Sequence, residues 1–188
     1  MNEIVTRLLE TMRDLESQIE NELEAQRDKF SYSVTERRVE FESAVRSRHK
    51  KMRVSVFRFL RKSGVVQIIS SPIIYAQIVP LALLDIAVTL FQFICFPIYG
   101  IAKVPREDFI AIDRHHLAYL NPIEKFNCAF CGYANGLLSY AREIAGRTEE
   151  HWCPIKHARR VKGLHHSYYG FAEYGDAEKH QTEKTEEK

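Results

Sequence analysis

Residues 71–102 read SPIIYAQIVPLALLDIAVTLFQFICFPIYGIA, and only Gln77, Asp85 and Gln92 interrupt them with strongly polar side chains. A hydrocarbon core of about 30 Å is crossed by about 20 apolar residues of helix, so the run is long enough to be a membrane segment. It lies far from residue 1 and has no small-residue cleavage site after it, which distinguishes it from a cleaved leader. The sequence therefore predicts a membrane-embedded protein.

Working outward, Pro72, Pro80 and Pro97 are the breakers inside the run. Pro80 divides it into Val65–Val79 and Leu81–Phe96, which permits one kinked spanning helix or a re-entrant hairpin. Seven Lys/Arg in residues 48–67 predict a cytoplasmic N-terminal flank by the positive-inside rule, against Lys103, Arg106 and Arg114 on the other side. A single span would put the C-terminal half outside. Clustered thiols and a basic C-terminal part suit a reducing cytoplasm, which favours the hairpin. Asp85 reads as a residue at a hairpin tip or facing a partner helix rather than as an ion relay, because the run has no second charge.

Upstream, charge is sharply partitioned. Residues 1–42 carry six Lys/Arg and eleven Asp/Glu, whereas residues 43–64 carry eight Lys/Arg and no acid. The overall balance of +2 hides this. From Asn2 to Ser63 there is no Gly or Pro, and apolar residues repeat every eleven positions: Leu8, Ile19, Phe30, Phe41, Met52 and Met12, Leu23, Val34, Val45, Val56. Eleven residues in three turns make a nearly straight stripe, so the pattern predicts one amphipathic helix over residues 1–64, about 90 Å long. Such a stripe needs a partner. An oligomerising stalk suits residues 1–42, giving a homo-oligomer joined through residues 1–62. A membrane-surface helix suits residues 43–64, where Lys50, Lys51, Arg53, Arg58, Arg61 and Lys62 surround Met52, Val56, Phe59 and Leu60. Each basic residue near an anionic leaflet contributes about 1 kcal/mol. Nucleic acid could attract the same charges, but headgroups are the nearer anion, and no specific nucleic acid is expected.

Downstream, residues 105–171 read as a small helical domain. Asn121-Pro122-Ile123-Glu124 is a helix start, with an Asn cap, Pro at the first position and Glu at the third. Ile123, Phe126, Phe130, Tyr133, Leu137, Tyr140 and Ile144 then alternate spacings of three and four, which predicts an amphipathic helix to about Gly146. A short helix is expected from Cys153-Pro154 to Gly163. The tail, residues 172–188, has six acids and three Lys and is expected to fray.

The candidate site is a Cys/His cluster. Cys128 and Cys131 form C-x2-C, and Cys153 with His157 forms C-x3-H after 21 intervening residues. Thiolates and imidazole are preferred zinc ligands, so these four residues are a candidate structural metal site. Iron is the alternative metal, a Cys128/Cys131 dithiol pair a third reading, and small packing thiols a fourth. Among the other histidines, His115 or His116 with His151 and Glu150 make a conceivable second site; interfacial placement is the preferred reading. Tyr168, Tyr169 and Phe171 read as packing or interfacial residues.

The run from Asp113 through Asn121-Pro122-Ile123-Glu124 to Cys128 and Cys131, with Tyr140-Ala-Arg-Glu-Ile-Ala145 and His151-Trp-Cys-Pro-Ile-Lys-His157, resembles a family of small uncharacterised bacterial membrane proteins. The resemblance covers about Ser71–Gly175 and implies a bacterial inner-membrane location, with no activity attached.

Together these readings give an all-α, membrane-anchored protein: a stalk helix (1–64), a membrane segment (65–104), a metal-held C-terminal domain (105–171) and a charged tail (172–188). No nucleophile–base pair, phosphate loop or paired-carboxylate site is legible, and no catalytic residue is assigned. The expected function is a non-enzymatic scaffold or adaptor; the rival is a redox or iron-binding protein using the same cysteines.

Overall fold

A computed structural model describes the chain except residues 1, 2, 30, 31, 36, 37, 42, 160, 187 and 188. The fold is mostly α-helical: α1 (Glu3–Lys29), a hairpin of β1 (Tyr32–Thr35) and β2 (Arg38–Phe41), then α2 (Ser43–Lys51), α3 (Val56–Lys62), α4 (Val65–Ala76), α5 (Ile78–Tyr99), α6 (Pro122–Trp152) and α7 (Ala177–Glu186). Two compact units share these elements, one of residues 1–69 with 112–129, the other of 70–111 with 130–188.

In the first unit the single helix expected over residues 1–64 is replaced by shorter pieces. The strands pair antiparallel with Tyr32 opposite Phe41 and Thr35 opposite Arg38. Tyr32, Val34 and Thr35 face a partner sequence containing Val39 and Phe41, and aromatic and β-branched residues suit paired strands better than helix. Phe30 of the eleven-residue series lies outside the described residues. After α2, the Met52 and Arg53 amides donate to the His49 and Lys50 carbonyls at 3.1 and 3.3 Å, tightening the last turn until it stops. The chain restarts where the Ser55 hydroxyl accepts from the Arg58 amide at the start of α3. Only α1 keeps the stripe intact: Ile4, Leu8, Met12, Leu15, Ile19 and Leu23 are 46–66% exposed.

The apolar run is helical from Val65 to Tyr99, 35 residues, and is the one helix among the described residues long and apolar enough to cross a membrane. It does not reverse at Pro80, so the kinked helix replaces the hairpin. Its local irregularity lies at Gln77, whose φ/ψ of −62/−14 remain right-handed helical. That position makes Pro80 the third residue of α5, inside the first turn, where a missing N–H leaves no gap in the ladder. Gly100, at φ 69 and ψ 16, ends α5 with a left-handed cap, and the Ile101 amide returns to the Phe96 carbonyl at 2.9 Å.

The second unit holds the core. Phe96, Val104, Leu137, Tyr140 and Ile144 are buried together, with Val88, Phe109 and Tyr133 packed against them. The start of α6 follows the sequence: Asn121 Oδ1 accepts from the Ile123 and Glu124 amides at 3.0 Å, and Glu124 Oε2 accepts from the Asn121 amide at 2.9 Å, a reciprocal cap. Among the described residues the short helix expected after Cys153 is absent. Its backbone pairs elsewhere, the Lys156 amide with the Ala172 carbonyl at 2.8 Å and the Ala172 amide with the Pro154 carbonyl at 2.9 Å. The charged tail carries α7 instead of fraying; Asp176 Oδ1 accepts from the Lys179 amide at 3.0 Å and starts it.

Candidate functional site

The polar interruptions of the apolar helix are where its chemistry gathers. Asp85, Gln92 and Tyr99 are spaced by seven residues along α5, and Tyr133 and Tyr140 by seven along α6. Seven residues are nearly two helical turns, so each set lies on one face. The Tyr133 hydroxyl donates to Asp85 Oδ2 at 2.8 Å, and Gln92 Nε2 donates to Tyr140 Oη at 2.9 Å. Tyr99 meets Trp152 edge-on and stacks with His151, with ring centroids 5.1 and 5.7 Å away. Contact positions rise together along both helices, so α5 and the second-unit part of α6 run parallel. A parallel pair requires a return crossing, which is supplied by residues 101–111.

This strap is held at three heights. The Val104 amide donates to Gln92 Oε1 at 2.6 Å, while Gln92 Nε2 also donates to the Val104 carbonyl at 3.3 Å. Gln92 is 7% exposed and thus satisfies both backbone groups of a buried residue. Further along, the Arg106 guanidinium grips Asp85 with two bonds, Nη1 to Oδ1 and Nη2 to Oδ2, the second at 2.7 Å. Thr89 adds a hydroxyl bond to Oδ1 at 3.3 Å. At the other end Arg147 Nη1 donates to the Ala102 carbonyl at 2.8 Å. Two glycines of α6 make the approach possible. A Cβ at Gly136 would stand 2.5 Å from the Phe109 carbonyl oxygen, and one at Gly132 would stand 3.0 Å from that of Ala111.

Asp85 therefore faces the neighbouring helix, as its bland sequence reading has it, with a cation from the strap added. The hydrogen bond to Asp85 raises the pKa of Arg106 above the usual guanidinium value. Burial, then the bond to Asp85, raises that of the Tyr133 phenol. Arg106, Tyr133 and Tyr140 are members of this network that sequence reasoning missed. The signal available was the shared seven-residue spacing.

The opposite flank of the α5–α6 seam is a groove of about 400 Å³ lined by Val88 and Phe91 of α5 and Ala141, Ala145, Thr148, Glu149 and Trp152 of α6. At its polar end Glu149 Oε2 lies 3.0 Å from His165 Nε2, and His165 packs where a Cβ on Gly146 would collide, 2.7 Å from the ring.

The expected metal ligands are not brought together. Cys131 lies on α6, which continues unbroken to Trp152, so at 1.5 Å per residue about 30 Å separate it from Cys153. Cys128 is a further turn away on the same helix. His157 is engaged elsewhere: its ring stacks with Tyr168 at 5.7 Å, and its amide donates to Tyr168 Oη at 2.7 Å. All four cysteines are free thiols, with Cys131 and Cys153 exposed and Cys128 half-buried. Among the described residues no group of three or more His, Cys, Asp or Glu side chains could hold a metal ion. A four-ligand zinc or iron site within one chain does not fit this geometry.

The expected membrane-surface residues are exposed. Lys50 and Lys51 close α2, Arg53 lies in the connector, and Arg58, Arg61 and Lys62 lie on α3. The same stretch carries Met52, Phe57 and Leu60, which are 64, 78 and 39% exposed. No family model, no curated protein and no solved structure matches this chain, so the site is read from its own geometry.

Proposed function

We propose that this protein is a membrane-anchored scaffold or adaptor. The observation that carries this reading is the helix Val65–Tyr99, of whose most apolar window only 6% is buried within the chain. An uncovered apolar surface of that length calls for lipid or another protein. The basic residues 43–62, with no acid among them, adjoin its N-terminal end and suit an anionic leaflet. The positive-inside rule then makes that flank cytoplasmic, and the resemblance of residues 71–175 to small bacterial membrane proteins makes the membrane a bacterial inner membrane. Residues 112–129 belong to the same compact unit as the basic flank.

The exposed stripe of α1 is the recruiting element, joining copies of the chain through their N-terminal helices. Two experiments test the reading. Alkaline carbonate should leave the protein in the membrane fraction; release into the soluble fraction would remove the anchor. Leu8→Asp with Ile19→Asp should lower the oligomeric mass in detergent, and an unchanged mass would remove α1 as the joint.

A further inference from the structure

The first unit brings a second basic sequence to the basic flank. His49 of α2 meets Tyr119 edge-on, with ring centroids 5.3 Å apart, which docks the 113–119 turn against α2. Arg114, His115 and His116 form a single turn of 3₁₀ helix there. The His115 and His116 rings lie 3.9 Å apart, and both residues are exposed. The charged groups acting on His116 belong to three parts of this unit: Arg46 on α2, Lys125 on α6, and Asp113 with His115 in its own turn. Asp113 is the one acid among these neighbours.

We propose that Arg46, His115, His116 and Lys125 form a phosphate-headgroup site for anionic phospholipid that strengthens as the imidazoles take up protons. The inference rests on the membrane-anchored reading and adds to it a headgroup class and a regulator. Lipid is the occupant because this turn shares its unit with the basic flank and with the first residues of the apolar helix, Val65–Ile69. A headgroup phosphodiester keeps one negative charge throughout pH 5–8, so any change in binding over that range comes from the protein. Shielding by its neighbours first, then the adjacent His115, lowers the pKa of His116. A bound phosphate reverses that bias, and binding and protonation then favour each other.

The test uses the full-length protein in a neutral detergent, titrated calorimetrically with short-chain phosphatidylglycerol, phosphatidylcholine or inorganic phosphate at pH 7.5 and 5.5. Phosphatidylglycerol should bind about fivefold more tightly at pH 5.5 for each charge gained, with no such change for phosphatidylcholine. His115→Gln with His116→Gln should abolish the increase and leave the pH 7.5 affinity nearly unchanged. Arg46→Gln with Lys125→Gln should weaken binding at both pH values. Equal affinity at the two pH values, no binding at either, or an increase that survives the double Gln change would each overturn the proposal. An inorganic phosphate response equal to that of the lipid would overturn the lipid assignment. Loss of the anchor itself reads out separately, as release by carbonate.

Discussion

Gln92 and Val104 hold each other in both directions, the side-chain amide accepting from the Val104 N–H at 2.6 Å and donating to its carbonyl at 3.3 Å. One side chain thereby takes the place of a neighbouring strand. Gln92→Leu keeps the volume but leaves the Val104 amide and carbonyl buried without this partner. The expected loss is about 2–4 kcal/mol, measured by thermal or denaturant unfolding in detergent. A change under about 0.5 kcal/mol would mean the strap is held without it.

The Asp85–Arg106 pair calls for a double-mutant cycle. Arg106→Leu leaves a carboxylate at 14% side-chain exposure with Tyr133 and Thr89 as its remaining hydrogen-bond partners among the described residues, while Arg106 itself is 41% exposed. The single change should cost roughly 1–3 kcal/mol, and Asp85→Leu/Arg106→Leu should cost less than the sum of the two singles. Strict additivity would show that the two charges do not act as a unit.

Alkaline stability should report on Tyr133. Its folded pKa is raised, so the native state holds the phenolic proton more tightly than the unfolded chain, whose tyrosines titrate near about 10. The stabilisation is complete below that pH and is lost as pH climbs through the folded value. Tyr133→Phe should flatten this part of the stability–pH curve; an unaltered curve would remove Tyr133 as its source.

Gly136 and Gly64 make a matched pair of tests. A Cβ at Gly136 meets backbone of Phe109 and Ile110 at 2.5 and 2.9 Å, whereas one at Gly64 meets nothing within 4 Å. Gly136→Ala should destabilise by about 1–3 kcal/mol, and Gly64→Ala should stay within about 0.5 kcal/mol. Equal effects would show that the strap does not press on α6.

The separation of the thiols predicts independence. Cys131→Ser and Cys153→Ser should each leave the metal content of protein purified under reducing conditions unchanged, and Cys153→Ser should move stability by less than about 0.5 kcal/mol. One stoichiometric metal ion lost in both variants, read by elemental analysis, would contradict the about 30 Å that α6 puts between them.

The apolar helix and the start of α6 were legible because both are written in short-range signals: an uninterrupted apolar run, and Asn121 with Pro122 and Glu124. The hairpin was hidden because Tyr32–Thr35 and Arg38–Phe41 satisfy two periods at once, an eleven-residue series and a strand-like alternation, and no Gly or Pro marks the break. The Cys/His spacing has the opposite limit. C-x2-C and C-x3-H are each local, and neither records that the intervening residues form a rigid rod. Gln92 and Asp85 were visible as interruptions, but their partners lie on other elements, and only the seven-residue spacing of Tyr133 and Tyr140 pointed to them.

The strap has a consequence for biosynthesis. Asp85 gains its guanidinium only after a further 21 residues have been made, and its phenol only after 48. Gln92 likewise waits 12 residues for Val104 and 48 for Tyr140. While the ribosome is still adding those residues, the apolar helix carries a carboxylate and an amide without their guanidinium, phenol and backbone partners. Its maturation is therefore timed by the emergence of α6, and a nascent chain halted before Tyr133 would leave the helix made but unlatched, a state that chaperones and proteases can recognise.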